Sequence, residues 1–299
     1  MQMQHVISVP LDPRLAEFIG KKGSEDSITF YNRKVDDSTI VALAPSSEDK
    51  FYAAAESMLI SSQIVISTAA LDKLFGEVLV AASLLDRHVI ITTDNNIDQY
   101  LKGIEIKGHE FADRKDVLEK ILSFRPKYDA GGQVRVDIDK SFPVRGLGTV
   151  ALGIVTKGTI KQHQELYHSS GKRITVRSMQ SQDVDVTSAL PGTRIGIVPK
   201  GIEHDEIEKG DLFTEAQHDK KSTARVRIAR SSGINPEKIE VGRYYDLISN
   251  FSYSRSKVEE ISGDELALRF DRSTALLPGD ELLLMRDKAP RIFASGRVL

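Results

Sequence analysis

The sequence contains no cysteine and no tryptophan. The first absence excludes disulfides and thiolate metal sites. The second, with aromatic residues at only 6%, argues against an extended surface for stacking single-stranded bases. No stretch approaches the roughly 18 consecutive apolar residues of a membrane helix. The opening Met1-Gln2-Met3-Gln4-His5 lacks the basic and then apolar pattern of a secretory signal. A cytoplasmic protein that does not enter a membrane is the expectation. Histidines show no H-x-x-x-H spacing for zinc. His204-Asp205-Glu206 reads as a hydrophilic surface turn, and no nucleophile–base pair has a supporting context. Neither metal ligands nor catalytic residues are expected.

What is present points to several domains. A chain of 299 residues with 40% hydrophobic and 28% charged side chains is an ordinary globular sequence, too long for one typical core. Charge is uneven: residues 1–127 carry net −4, 128–217 net −1 and 218–299 net +3. A polyanionic partner would therefore meet the back of the chain rather than the front.

The first segment alternates strands with helices. His5–Val9 reads as a strand, followed by Asp12 as an N-cap, Pro13 in the first turn, and Leu15, Phe18 and Ile19 as an apolar stripe. Consecutive strands are expected at Ser27–Tyr31 and Thr39–Leu43. Helix then alternates with strand at Ser47–Ile60, Gln63–Ser67, Ala70–Leu85 and His88–Thr92. A short helix at Ile97–Lys102, a strand at Ile104–Ile106 and a helix at Arg114–Phe124 complete the segment. This order, with its single pair of consecutive strands, predicts a mainly parallel sheet covered by helices, in the arrangement of a small-GTPase domain. Pro126 and Gly131-Gly132 mark a linker. Beyond it, short strands are separated by glycine turns at Gly158, Gly171, Gly192 and Gly201, the texture of a closed barrel. A second strand series from Ala224 to Leu299 predicts another barrel. The expected fold is α/β plus all-β, with domains at 1–127, 128–217 and 218–299.

Ser141-Phe142-Pro143-Val144-Arg145-Gly146-Leu147-Gly148-Thr149-Val150 resembles the opening of domain two in the elongation factor Tu family. The likeness continues through Gly153, Lys157-Gly158, Val176–Ser181, Pro191–Gly196, Lys200-Gly201-Ile202 and Ile207–Asp211. Gln180 and Arg194 look more like the selenocysteine-specific elongation factor (SelB) and the initiation-factor-two gamma branch. Arg286–Leu299 resembles the closing strand of domain three. The resemblance implies a degenerate small-GTPase-like P-loop domain followed by translation-factor domains two and three.

The front segment lacks what that family uses to hold GTP. A P-loop requires G-x-x-x-x-G-K-[ST], whose backbone N–H groups and lysine surround the phosphates. After the first strand the chain reads Pro10-Leu11-Asp12-Pro13-Arg14-Leu15, with no glycine and two prolines without N–H. The window Gly20–Ser27 puts Glu25 and Asp26 where the second glycine and the lysine belong. At the D-x-x-G position stands Leu43-Ala44-Pro45-Ser46-Ser47. Asn95-Asn96-Ile97-Asp98 keeps the ends of N-K-x-D but not its lysine. GTP and magnesium binding are expected to be lost, leaving a pseudo-GTPase without a cofactor.

The resemblance places the aminoacyl end of tRNA against domain two, and the acceptor and T arms against domain three. Gln180 and Arg194 fall at positions implied to face the domain-two pocket, where Arg194 could pair with a carboxylate or phosphate. Arg194 read from its residue type alone is equally a barrel-rim arginine satisfied by carbonyls. Arg225 and Arg227 alternate with Val226 and Ile228, so their guanidinium groups share one strand face, with Lys220, Lys221 and Arg230 nearby. These seven are the candidate RNA contacts. The leading expectation is a non-catalytic paralogue of the translation factors that binds tRNA or ribosomal RNA without a GTP cycle. The alternatives are a protein-binding scaffold or regulator of the translation machinery, and a GTPase with unconventional nucleotide contacts.

Overall fold

The computed structural model describes residues 3–46, 50–234 and 236–299. Its front segment runs β1 (Met3–Ser8), α1 (Pro13–Ile19), β2 (Lys21–Glu25), β3 (Ile28–Val35), β4 (Ser38–Pro45), α2 (Lys50–Ile60), β5 (Gln63–Ile66), α3 (Lys73–Leu84), β6 (His88–Thr92), β7 (His109–Ala112) and α4 (Val117–Ser123). The strands form one sheet in the order β2-β3-β4-β1-β5-β6-β7. The β1–β5, β5–β6 and β6–β7 pairs are parallel, and β3–β4 is an antiparallel hairpin.

The central strands are apolar at nearly every position because both sheet faces are covered. Alternate side chains consequently enter different cores. Val65 and Ile90 join Ile7, Leu15, Ile19, Val117 and Ile121 on the side of α1 and α4. Ile64, Ile66, Val89 and Ile91 join Met58, Phe75, Val78 and Leu79 on the side of α2 and α3. Asp72 caps α3 by accepting the Phe75 amide at 3.0 Å.

Several expectations need correction. Phe18 is 50% exposed and is not part of the α1 core stripe. Residues 97–103 form turns in place of a short helix, with Tyr100 and Leu101 amides bonded to the Ile97 carbonyl. The strand expected at Ile104–Ile106 lies instead at His109–Ala112. The glycine window Gly20–Ser27 contains β2, an edge strand paired with β3. The expected start of α2 at Ser47 lies outside the described residues.

The second segment contains β8 (Arg135–Val144), β9 (Gly148–Lys157), β10 (Ile160–Lys161), β11 (Glu165–His168), β12 (Arg173–Ser181), β13 (Val184–Asp185), β14 (Ser188–Ala189), β15 (Arg194–Lys200) and β16 (Leu212–Thr214). The order β11-β16-β8-β9-β15-β12-β13 closes through β11–β12. Gly153 is required by close approach: a Cβ there would stand 2.5 Å from the Asp137 carbonyl oxygen of the neighbouring strand.

The third segment comprises β17 (Lys221–Ser231), β18 (Tyr244–Ser249), β19 (Ser252–Ser262), β20 (Glu265–Thr274), β21 (Glu281–Met285) and β22 (Ile292–Val298). They form a closed barrel in the order β17-β20-β19-β18-β21-β22. The three segments group into two compact units. One contains Pro126–Lys221 with the start of the chain through Gln4; the other contains His5–Arg125 and Ser222–Leu299. In the second unit the α2–α3 core continues into Ile248, Leu283, Met285 and Ile292 of the barrel.

Candidate functional site

Open α/β sheets bind ligands in the crevice beyond the carboxyl ends of their strands. Here that crevice, beyond β1, β5 and β6, holds a cavity of about 630 Å³ lined by Leu11, Asp12, Arg14, Ser67, Asp94 and Arg114, among others. Asp12 dominates its chemistry. One carboxylate oxygen accepts the Arg14 and Leu15 amides at 3.0 and 3.1 Å, capping α1. The other accepts the Ser67 hydroxyl at 2.9 Å and a bond from the Arg114 guanidinium. Arg114 also lies 3.1 Å from Ser67 Oγ and ion-pairs with Asp94 at 3.0 Å. Burial pushes the Asp12 carboxyl up, but the Ser67 hydroxyl, the Leu15 amide and Arg114 outweigh it and hold it below the ordinary range. The group is an anion that the chain itself supplies at the start of its first helix, where a nucleotide-binding sheet would receive phosphate.

The neighbouring loops are equally occupied. Asn95 donates its side-chain amide to the Thr68 carbonyl at 2.7 Å, and its backbone N–H to Thr68 Oγ1 at 3.0 Å. Asp98 accepts from the Asn96 side chain at 3.1 Å, in an exposed turn. Ser46, after β4, bonds back to the Ser27 and Asp26 carbonyls. Asp12 was legible as a helix cap, whereas Arg114 was not legible at all, being 102 positions away in sequence.

The seven barrel candidates do not converge on one site. Gln180 is exposed on β12 and donates to Asp185 at 2.8 Å across the β12–β13 hairpin. Arg194 is buried, gripping buried Asp139 through both terminal nitrogens, one of them at 2.8 Å. Of the partners expected for it, a carboxylate, here Asp139, is the one its guanidinium holds. Lys220 reaches inward to Asp211 at 2.8 Å and Glu208 at 3.0 Å. Asp211 also takes His168 at 2.9 Å and Ser169 at 2.7 Å. Burial raises the Asp211 carboxyl, but His168, Lys220 and the Glu208 amide overcome it and lower its pKa to about 2.

The remaining four lie on β17. Lys221 is exposed at its start. Arg225 and Arg227 do share the outward face, since Val226 between them is fully buried. Arg225 pairs with Glu260 at 3.0 Å, and Arg227 with Glu265 and, at 3.9 Å, Asp264. A bulge between Ile228 and Arg230 shifts the register, and Arg230 stands 3.9 Å from Asp86, in the turn after α3. All of these pairs are surface contacts of small net worth.

Residues 148–214 match the family model of elongation factor Tu domain 2. Over these residues the chain is similar to the elongation factor Tu family. It is 27% identical over 301 residues to an uncharacterized protein of Methanocaldococcus jannaschii, covering 94% of each. It is 25% identical over 219 residues to the selenocysteine-specific elongation factor of the same organism, a match spanning 64% of this chain but 47% of that factor. Among solved structures, the elongation factor SelB of Methanococcus maripaludis, crystallised with the GTP analogue GppNHp, superimposes with a TM-score of 0.82 at 18% identity. That match covers 100% of this chain and 79% of SelB, so the fold is shared from end to end. Among the described residues, no helix is long and apolar enough to cross a membrane.

Proposed function

We propose that the chain is a non-catalytic relative of the SelB and elongation factor Tu translation factors, binding tRNA or ribosomal RNA in the cytoplasm without a GTP cycle. The observation that carries the loss of the cycle is the capped start of α1. Asp12 fills the anion position, Arg114 neutralises it, and Pro10 and Pro13 remove two N–H groups from the loop. A triphosphate would have to displace a carboxylate anchored by two amides, a hydroxyl and a guanidinium. It would find neither a P-loop lysine nor a D-x-x-G aspartate as replacement partners. The front domain is thus a pseudo-GTPase, with neither GTP nor magnesium as a cofactor.

RNA binding rests on the elongation-factor-like barrels and on the exposed cations of β17. The test is a tRNA titration at several salt concentrations. An affinity that falls steeply with salt supports the reading, and no binding even at low salt rejects it. A second reading, a protein-docking role on the translation machinery, is favoured by one feature: Arg225 and Arg227 already hold carboxylates. Capture of translation proteins that survives nuclease treatment would select it.

A further inference from the structure

The front sheet and the closed barrel of the third segment, barrel three, are joined by more than a surface contact. The α2–α3 side of the sheet shares one continuous apolar core with Ile248 on β18, Leu283 and Met285 on β21 and Ile292 on β22. Within it lies Glu77, a carboxylate on the largely apolar α3 that is 6% exposed. Its two oxygens lie 2.9 and 2.7 Å from the Arg291 amide, which donates to it. The Arg291 guanidinium stands 3.7 Å from the same carboxylate and 3.5 Å from the centre of the Phe51 ring on α2. Three side chains extend the clasp. Ser295 donates to the Leu84 carbonyl at 2.9 Å, at the end of α3. Arg87 binds Glu281 at 2.6 Å and the Leu59 carbonyl at 2.9 Å. Tyr52 reaches Asp246 and packs edge-on against Tyr253 with centroids 4.8 Å apart.

Interfaces between domains that move are usually modest in area and rather polar. This one is a shared core in which Glu77, Ser295 and Arg87 hold polar partners across it. Separation would leave Glu77 and the Arg291 amide without their partners and wet the apolar residues on both sides. Glu77 bonds to the main-chain N–H of Arg291, so sliding of barrel three along α3 would break the clasp as completely as separation.

We propose that the front domain and barrel three are a permanently clasped unit, with Glu77 as the pin, which opens only when the unit itself unfolds. The front sheet then serves as a platform that holds barrel three in one orientation, whether or not any nucleotide reaches the crevice. This inference is independent of the proposed function.

Native-state hydrogen exchange on the full chain tests it. Amides of α3, of β22 and of Arg291 just before it should exchange as slowly as the cores of the two domains they join, and equally slowly after GTP and magnesium are added. Exchange at Arg291 and Ile292 that outpaces both cores, or that changes with nucleotide, would overturn the proposal. The absence of cysteine permits a second readout. In S295C, the single thiol should react no faster than global unfolding, and adding E77A should speed labelling roughly tenfold or more. Rapid labelling of S295C without the second substitution, in a chain that remains folded, contradicts the clasp.

Discussion

Arg194 and Asp139 face each other inside barrel two, each less than one tenth exposed and joined by two hydrogen bonds. Removing either partner strands the other charge in the interior. Arg194→Ala and Asp139→Ala should each cost about 3–5 kcal/mol, with the double variant losing less than the sum of the two. Urea unfolding measures this. If Arg194→Ala left stability unchanged but abolished tRNA binding, the assignment of this arginine to the barrel interior would be wrong.

The outward arginines of β17 should behave in the opposite way. Arg225→Gln and Arg227→Gln remove exposed ion pairs and should change stability by less than about 1 kcal/mol. If they meet phosphate, each should reduce the salt dependence of RNA affinity by about one unit of log–log slope. Unaltered slopes would point to the protein-docking reading.

Acid sensitivity follows from His5 and Asp211. Burial, followed by the charge of Arg125, lowers the His5 pKa from 6.5 to about 4, so the folded front domain holds this ring neutral. The resulting stability is fully present above 6.5 and is lost as pH falls toward 4. Asp211 is lowered from 3.8 to about 2, so its contribution holds above 3.8 and disappears as pH drops toward 2. Stability should therefore decline in two stages, first in the front domain and later in barrel two. Histidine NMR titration checks the first stage: His5 should show no midpoint between pH 5 and 7. A midpoint near 6.5 would contradict it.

Gly153 gives a packing test. Gly153→Ala brings a methyl group against the Asp137 carbonyl oxygen. Overpacking of this kind costs about 1–3 kcal/mol. A drop in the unfolding midpoint of barrel two is the expected outcome, and an unchanged midpoint would show that the strands can separate locally.

Much of the fold was legible because it depends on local signals. Asp12-Pro13 announced a capped helix, and the continuous apolar runs at β5 and β6 announced strands buried on both faces. Strand β2 was not legible: Lys21-Lys22-Gly23-Ser24-Glu25 is polar and mostly exposed, so no alternation marks it. Residues 97–103 carry helical spacing, yet the chain turns there and leaves the segment at Gly103 with φ of +81°. The site was half legible. Missing P-loop residues could be counted, but what stands in their place required tertiary structure, because Arg114 reaches Asp12 and Asp94 from the far end of the domain. The partner of Arg194 is not legible for a related reason: Asp139 lies on a different strand and carries no motif of its own.

With the chain's own Asp12 and Arg114 in the phosphate position, calorimetric titration of the full chain with GTP and magnesium should give no heat of binding up to millimolar nucleotide. Saturable binding at micromolar concentrations, weakened by Arg114→Ala, would contradict that placement.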